Sequence, residues 1–505
     1  MKPHSIVGTA GSQGIGLGLR SGTTGMVVLG LMSLYLLLVP VVNVVPGVEV
    51  YDGRRLAQLA VLGILAVTLA LRRSARDVWF DVFSTLPAAA RWGAGLVLAL
   101  GLASAAQAAL PRYALLEVGH LVLLAVLSMA VAGGVRELGE RADKLLVGFL
   151  CLSVGLYLIR FLVGYAAGVM GLMPLWPEGT LGFSHVRFFN QIQTWTLPLL
   201  ALPVFLLSTE RRGLRVISAG MLWMWWMLLF ASGGRGTLLA TVSAMFFVAL
   251  VYGRRARYWL RVQGVAALAG LALYALLFKG IGHAGQSIMD RTLTSDSGRL
   301  ELWAHAWAAV VEAPLLGIGP MHLAYYPDRV ENAHPHNVLL QWMAEWGSVA
   351  TVLLVVLVFW GLWAWVRQGR RQVYSHRDLH RWPVRIAITG SLVAASIHAL
   401  LSGIVVMPVS QMLMVVVVGW ALGCYQPSHR SHRAAAWKHH LLAGTVWLAL
   451  LAVGLGVAPD LPGLPHRKEI YTDWTGSYDL RPRYWQQGFI GYENDRYPTE
   501  PVHPK

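Results

Sequence analysis

The sequence contains few charged residues and almost no cysteine. Only 13% of its 505 residues are charged and 56% are hydrophobic, whereas soluble proteins usually have about 25% charged residues. This shortage of charge excludes an ordinary soluble protein. The two cysteines, Cys151 and Cys424, both lie within long apolar stretches, so we expect neither a disulfide framework nor a cysteine-ligated metal site.

Long apolar stretches make up most of the chain instead. A transmembrane helix needs roughly 20 predominantly apolar residues, and the sequence offers about 12–13 stretches near this length. They predict an all-α polytopic membrane protein with a large external loop, 280–347, that contains short amphipathic helices. The spans are expected near residues 26–45, 56–71, 93–109, 115–132, 145–163, 194–207, 216–230, 237–252, 262–277, 348–366, 386–405, 409–424 and 441–457.

Basic residues outnumber acidic ones, and their distribution indicates the orientation of the chain. The formal net charge is +16, from 41 Lys and Arg against 25 Asp and Glu. Most Lys and Arg fall in alternate loops, as is typical of cytoplasmic loops, which explains the charge without a nucleic-acid partner. The predicted regions are a cytoplasmic N-terminal tail, a transmembrane domain and an external C-terminal tail, at residues 1–25, 26–457 and 458–505.

Several ionisable residues fall within or beside the predicted spans, where such groups are costly and usually functional or paired. With this topology they all map to the external half of the membrane: Glu117, His120, Arg160, Lys279 and His398. An ion-coupled transporter would more often place them near the midplane. A purely structural alternative is an ion pair between Glu117 and Arg160.

Two external loops present one arginine each. Arg187 precedes the sixth span in the loop 164–193, and Arg235 begins the eighth span in the turn ASGGRGTLLA. The free N–H groups at a helix N-terminus, next to a guanidinium, make Arg235 a candidate anion-binding residue. Arg187 has a second interpretation, as an interfacial anchor among its aromatic neighbours.

The loop 280–347 holds the densest group of chemically active residues. Arg299 opens a helical apolar pattern that is too short to span at about fifteen residues, so it is expected to lie in the membrane interface. Further on, Pro335 disfavours helix at His334, so the next helix should begin at His336 or Asn337. His334 is interpreted as a positioning residue, and Asn337 has a second interpretation as a helix cap.

Arginines and a histidine on one membrane face suit one kind of reaction. Arginine binds phosphate oxygens with a planar charged fork, and histidine can accept a proton from a hydroxyl. An acceptor hydroxyl could then attack the anomeric carbon of a sugar carried on a membrane-anchored diphosphate. No Asp-x-Asp pair occurs in the external loops, so we do not expect a metal-bound diphosphate. The catalytic candidates are His336, Arg299 and Arg235, and the substrate-binding candidates are Arg187, Arg235, Arg299, His334, Asn337 and Arg160.

Three runs in this region resemble a known signature: SGRLELWAHAW, APLLGIGP and HPHNVLLQWMAEWG. They are similar to the O-antigen ligase and polymerase superfamily of bacterial envelope glycosyltransferases, which includes lipid A-core O-antigen ligases, O-antigen polymerases and protein O-oligosaccharyltransferases. The resemblance implies an inverting, GT-C type glycosyltransferase that uses an undecaprenyl-diphosphate-linked glycan and needs no metal or other cofactor.

The resemblance also implies residue roles and a location. It matches the family's diphosphate-binding arginines to Arg187, Arg235 and Arg299, and its essential histidine to His336. The active site would face the periplasm from the bacterial inner membrane, between the loops 164–193 and 280–347. The chain departs from the common twelve-span pattern by its last span, and its tail is expected to be a non-helical flap over the catalytic mouth or partly disordered.

Three functions remain open at this point. The leading hypothesis is transfer of a lipid-linked oligo- or polysaccharide to an acceptor hydroxyl on lipid A-core, a glycan or a protein, as by an O-antigen ligase or O-oligosaccharyltransferase. A polymerase that joins lipid-linked repeat units is the close alternative. A transporter or flippase of lipid-linked sugars is the alternative from another class, and it would need polar residues along a path through the membrane.

Overall fold

The computed structural model describes residues 18–173, 182–279, 298–325, 333–374, 381–425, 435–469, 472 and 481–491. Parts of the predicted tails and loops, at 1–17, 174–181, 280–297, 326–332 and 492–505, lie outside the described residues. No β-strand occurs in the described ranges. Their sixteen α-helices are α1 (Gly18–Leu38), α2 (Val50–Leu71), α3 (Arg73–Ser84), α4 (Ala88–Gln107), α5 (Pro111–Leu138), α6 (Glu140–Val169), α7 (Val186–Thr196), α8 (Pro203–Leu206), α9 (Arg212–Ala231), α10 (Arg235–Tyr252), α11 (Arg257–Tyr274), α12 (Arg299–Glu312), α13 (Val338–Tyr374), α14 (Trp382–Ala399), α15 (Pro408–Cys424) and α16 (Ala436–Val457).

The long helices confirm an all-α polytopic membrane protein. In the part of the chain that the structure describes, eight helical segments are long and apolar enough to cross a membrane, and one of them, Arg235–Lys279, contains both α10 and α11. Two further apolar helices are shorter, Thr24–Leu38 and Pro408–Cys424. α1 begins at Gly18, inside the stretch predicted as a cytoplasmic tail.

The sixth predicted span, 194–207, is not one continuous α-helix. Pro198 and Pro203 interrupt it, because proline has no N–H to donate within a helix. The chain leaves α7 through a 3₁₀ turn, Leu199–Ala201, and enters the four-residue α8. This turn is buried, so protein atoms surround the irregular backbone, as a break inside a membrane requires.

A second break lies in α13, at Gly347, where φ is 84° and ψ is 162°. The break leaves carbonyl groups without helical partners, and the loop after α12 supplies donors to them. The N–H of Ile318 donates to the oxygen of Ala344 at 2.8 Å, and the N–H of Gly319 donates to the oxygen of Glu345 at 3.1 Å. This loop therefore fixes the first part of α13 relative to the rest of the helix.

The end of the bundle where α13 begins, which we call the site end, is cross-linked by buried polar side chains. Arg55 near the start of α2 donates to the Gln411 side chain of α15 at 2.6 Å. The ring of His120 in α5 lies 3.2 Å from the same oxygen. At the opposite end, Asp143 pairs with Arg381 at 2.8 Å.

The chain returns to the site end after α16. Residues 481–491, which we call the C-terminal segment, contain no helix, and all residues from 483 to 490 are buried. The guanidinium of Arg483 lies 2.8 Å from Glu117 and 2.6 Å from Glu345. Glu117 therefore pairs with Arg483, and the alternative ion pair between Glu117 and Arg160 is wrong.

Candidate active site

His334 and His336 lie in the loop that precedes α13. His336 has a φ of 54°, a left-handed conformation that non-glycine residues seldom adopt and that is frequent at functional sites. The Nδ1 atom of His334 accepts a hydrogen bond from the N–H of His336 at 3.3 Å, and the two rings meet edge to face with centroids 4.3 Å apart. Gly403 leaves room for the buried His334 ring. The loop thus holds His336 in a defined position.

Neighbouring side chains support this loop on both sides. The indole N–H of Trp303 in α12 donates to the carbonyl oxygen of Pro335 at 3.1 Å. The Oδ1 atom of Asn337 accepts from the N–H groups two and three residues ahead, at 3.0 and 3.2 Å, which makes it an N-cap. α13 accordingly begins at Val338, slightly later than predicted, because the left-handed His336 cannot join a right-handed helix.

Arg187 and Arg299 both interact with His336 from separate elements. Arg299 is the first residue of α12, and Arg187 lies in the first turn of α7. Burial lowers the pKa of His336 to about 3, and the positive charges of Arg187 and Arg299 contribute to this shift. Burial also lowers the pKa of His334, and the nearby His336 adds to this effect. Both rings are therefore neutral at physiological pH, so each retains a nitrogen that can accept a proton.

Arg235 is linked to this group through His398. It is the first residue of α10, after a turn in which Gly233 has a φ of 66°. The next residue, Gly236, packs on the His398 ring, since a Cβ at Gly236 would lie 3.2 Å from Nε2. Arg299 interacts electrostatically with the same histidine. The structure thus brings the starts of α10 and α12 to one histidine ring.

A buried polar network holds α7 against α10 and α14. The hydroxyl of Thr194 lies 2.7 Å from Nδ1 of His398 and 3.1 Å from the hydroxyl of Thr237. Thr237 donates to the carbonyl oxygen of Asn190 at 3.0 Å, and the Asn190 amide donates to the hydroxyl of Ser232 at 2.7 Å. Such fully bonded buried networks fix relative positions, so the starts of α7 and α10 are held together.

Arg160 lies apart from the histidine loop in its described contacts. Its guanidinium donates to the carbonyl oxygen of Val41, between α1 and α2, and packs against Gly182. It also interacts electrostatically with Arg54. Its predicted role in substrate binding therefore gains no support from these contacts.

Three residues near the site were absent from the predicted set. His185 and Arg481 both interact electrostatically with His336, and His398 links α7, α10 and α12. His398 had a sequence signal, because it is an ionisable residue in a predicted span. Arg481 had no signal of its own, although the tail that contains it was expected to form a non-helical flap over the catalytic mouth or to be partly disordered.

The arrangement can bind an anion and accept a proton. Three guanidinium groups stand at helix starts, where free N–H groups and the helix dipole also favour negative charge. The neutral His336 lies within electrostatic range of two of them, Arg187 and Arg299. Among the described residues, no group of three or more His, Cys, Asp or Glu side chains could hold a metal ion.

A comparison with protein families finds a match, which covers part of the chain. Residues 219–355 match the family model described as O-Antigen ligase. The matched segment includes Arg235, Arg299 and His336, whereas Arg187 and the C-terminal segment lie outside it. No curated protein matches the chain.

Proposed function

We propose that the chain, whose residues 219–355 match the O-antigen ligase family, is an inverting membrane glycosyltransferase of the GT-C type. The donor is a glycan linked to undecaprenyl diphosphate, and the acceptor is a hydroxyl on lipid A-core, on a glycan or on a protein. The observation that carries this proposal is that Arg187 and Arg299, at two helix starts, act electrostatically on His336, while the start of α10 and Arg299 share His398.

In this reaction His336 acts as the general base. Its ring takes the proton from the acceptor hydroxyl as that oxygen attacks the anomeric carbon, and the bond between this carbon and the diphosphate oxygen breaks. The developing charge on the leaving diphosphate falls on Arg187, Arg235 and Arg299, whose positions are set before the reaction. Attack from the face opposite the leaving group inverts the anomeric centre.

Donor binding would also change the pKa of His336. The positive charges around His336 help to lower its pKa to about 3, which makes the free imidazole a weak base. A bound diphosphate places negative charge among those arginines and raises the pKa of His336, since opposite charge favours the protonated form. Proton transfer then becomes favourable only when the donor is in place.

We place the site end on the periplasmic side of the bacterial inner membrane. The loops at the opposite end are rich in Lys and Arg, as cytoplasmic loops are. In that orientation the domain spans the membrane, the loops 164–193 and 280–347 form the active site, and residues 458–505 are periplasmic.

The alternatives differ in the acceptor or in the class of protein. A polymerase would use the same residues with a lipid-linked repeat unit as acceptor. A transporter or flippase would need polar groups along a transmembrane path, whereas the described arginines and histidines of this site gather at one end of the bundle.

The test is transfer by purified protein in detergent, with an undecaprenyl-diphosphate-linked glycan and each acceptor class in turn. His336→Ala should lower the rate at least about 100-fold, as loss of a general base does, while the donor still binds. His466→Ala is the matched control, because His466 is exposed and contacts only Glu469 at 3.4 Å among the described ion pairs. Wild-type turnover by His336→Ala would exclude His336 as the general base. The absence of transfer by the wild-type protein to any acceptor would overturn the proposal.

A further inference from the structure

The C-terminal segment is bound to the site end by hydrogen bonds along its length. The hydroxyl of Tyr51 donates to the carbonyl oxygen of Arg483 at 2.7 Å, and the N–H of Gln486 donates to Asp52 at 2.7 Å. The indole N–H of Trp485 donates to Asp460 at 2.7 Å. These bonds join the segment to the start of α2 and to the end of α16, so its position is set by the helices.

Within this segment, Arg483 is held by two carboxylates. Burial would lower the pKa of its guanidinium, but Glu117 and Glu345 raise it above its ordinary value, so Arg483 remains charged. Glu117 is in α5, and Glu345 lies in α13 two residues before the break at Gly347. Arg483 thereby ties the segment to the first part of α13, which follows the histidine loop.

The segment also folds back on itself against the histidine loop. Gly488 has a φ of 92°. A Cβ at Gly488 would lie 1.6 Å from the carbonyl oxygen of Arg481 and 3.1 Å from the Cβ of Ala333. Arg481 is therefore adjacent to Ala333, the residue before His334, and its half-buried side chain interacts electrostatically with His336.

We propose that Arg481 is a further substrate-binding residue, which contacts the diphosphate of the lipid-linked donor together with the arginines of α7, α10 and α12. This inference rests on the proposed function, since it assumes that a diphosphate occupies the space beside His336. The site would then be incomplete without the C-terminal segment, whose buried contacts serve to present one guanidinium to it. Arg483 holds the segment and does not itself contact the donor.

The test is equilibrium binding of undecaprenyl diphosphate to the purified full-length protein in detergent. Arg481→Ala should weaken binding by about ten- to hundredfold, the effect of losing a charge-assisted hydrogen bond. Arg481→Lys should recover part of the loss, because it restores the charge without the planar fork. Because Arg481 is half-buried at the edge of the segment, both variants should fold, and unchanged thermal unfolding checks this.

Lys468→Ala is the matched control. It removes one positive charge from the same tail, but Lys468 pairs with Glu49 at 2.9 Å on an exposed surface, so donor affinity should not change. Wild-type affinity in Arg481→Ala, alongside weakened binding in Arg299→Ala, would overturn this inference and leave the proposed function standing. Wild-type affinity in both variants would overturn both. An equal loss in the lysine and alanine variants would assign Arg481 a structural role and also overturn the inference.

Discussion

His336 combines two features that folding alone does not favour. Its left-handed backbone costs about 1 to 3 kcal/mol, and its ring stands among positive charges that oppose its protonation. Both features become useful if the ring must point at a substrate that brings negative charge. The sequence identified this residue from its place before Asn337, but it gave no sign of the left-handed conformation, which depends on the bonds that surround the loop.

The charges around His336 lead to a prediction about pH. The groups that face it are Arg187, Arg299, His185, Arg481 and the ring of His334. Because positive charge disfavours the imidazolium, removing one raises the pKa of His336, and the base becomes protonated at higher pH. Arg187→Gln should therefore move the acidic limb of the kcat/KM profile upwards by roughly 0.5 to 1 pH unit.

Two comparisons make this test specific. In the wild type, the acidic limb of kcat should lie at higher pH than that of kcat/KM, because the bound diphosphate cancels positive charge in the enzyme–substrate complex. Lys468→Ala should leave both limbs in place, since that lysine pairs with Glu49. An acidic limb at the same pH in the wild type and in Arg187→Gln would contradict the electrostatic role.

At the scale of elements, the break in α13 determines how the histidine loop meets the rest of the helix. Apolar spacing predicted the helices on both sides of the loop, and α12 begins at Arg299 as expected. The spacing could not reveal the break, because Gly347 lies within a helical pattern and the loop that contacts it is supplied by residues about thirty positions earlier. Pro198 and Pro203 indicated the breaks after α7. The sixth span was predicted from the length of its apolar stretch, which does not take these prolines into account.

The break yields a prediction with a control in the same helix. A Cβ at Gly347 would lie 2.1 Å from the carbonyl oxygen of Leu315, and its φ is positive, so Gly347→Ala should cost more than about 2 kcal/mol of stability. Gly361 has no atom within 4 Å of the equivalent position, so Gly361→Ala should not lower stability. Thermal unfolding in detergent should therefore show a lower Tm only for Gly347→Ala. Equal Tm values for the two variants would show that the close contact between Gly347 and the loop after α12 does not stabilise the protein.

At the scale of the molecule, the site is assembled from elements that are distant in sequence. The length of the apolar stretches predicted the polytopic all-α class. The alternation of loops between the two sides of the membrane predicted that the ionisable residues lie at one end of the bundle. The sequence did not predict which of these residues pair with each other. Glu117 pairs with Arg483, 366 positions away, and no periodicity connects two such residues. The matched family segment, 219–355, includes neither of them.

The ion triad of Arg483, Glu117 and Glu345 gives a prediction about the whole fold. Arg483→Ala would leave the buried Glu345 and the half-buried Glu117 without their counter-charge, and loss of one partner of a buried ion pair typically costs about 3 to 5 kcal/mol. Thermal unfolding in detergent should show a large fall in Tm and release of the C-terminal segment to proteolysis. Lys468→Ala breaks an exposed pair, worth about 0 to 1 kcal/mol, and should leave Tm nearly unchanged. An Arg483→Ala protein that keeps the wild-type Tm and a C-terminal segment resistant to proteolysis would show that the triad does not anchor this segment.

The decisive measurement is a structure of the protein determined with undecaprenyl diphosphate bound. We expect phosphate density within hydrogen-bond distance of Arg235 and Arg299, with His336 facing the open side of the diphosphate. Phosphate density at Arg160 or at the opposite end of the bundle, away from His336, would contradict it.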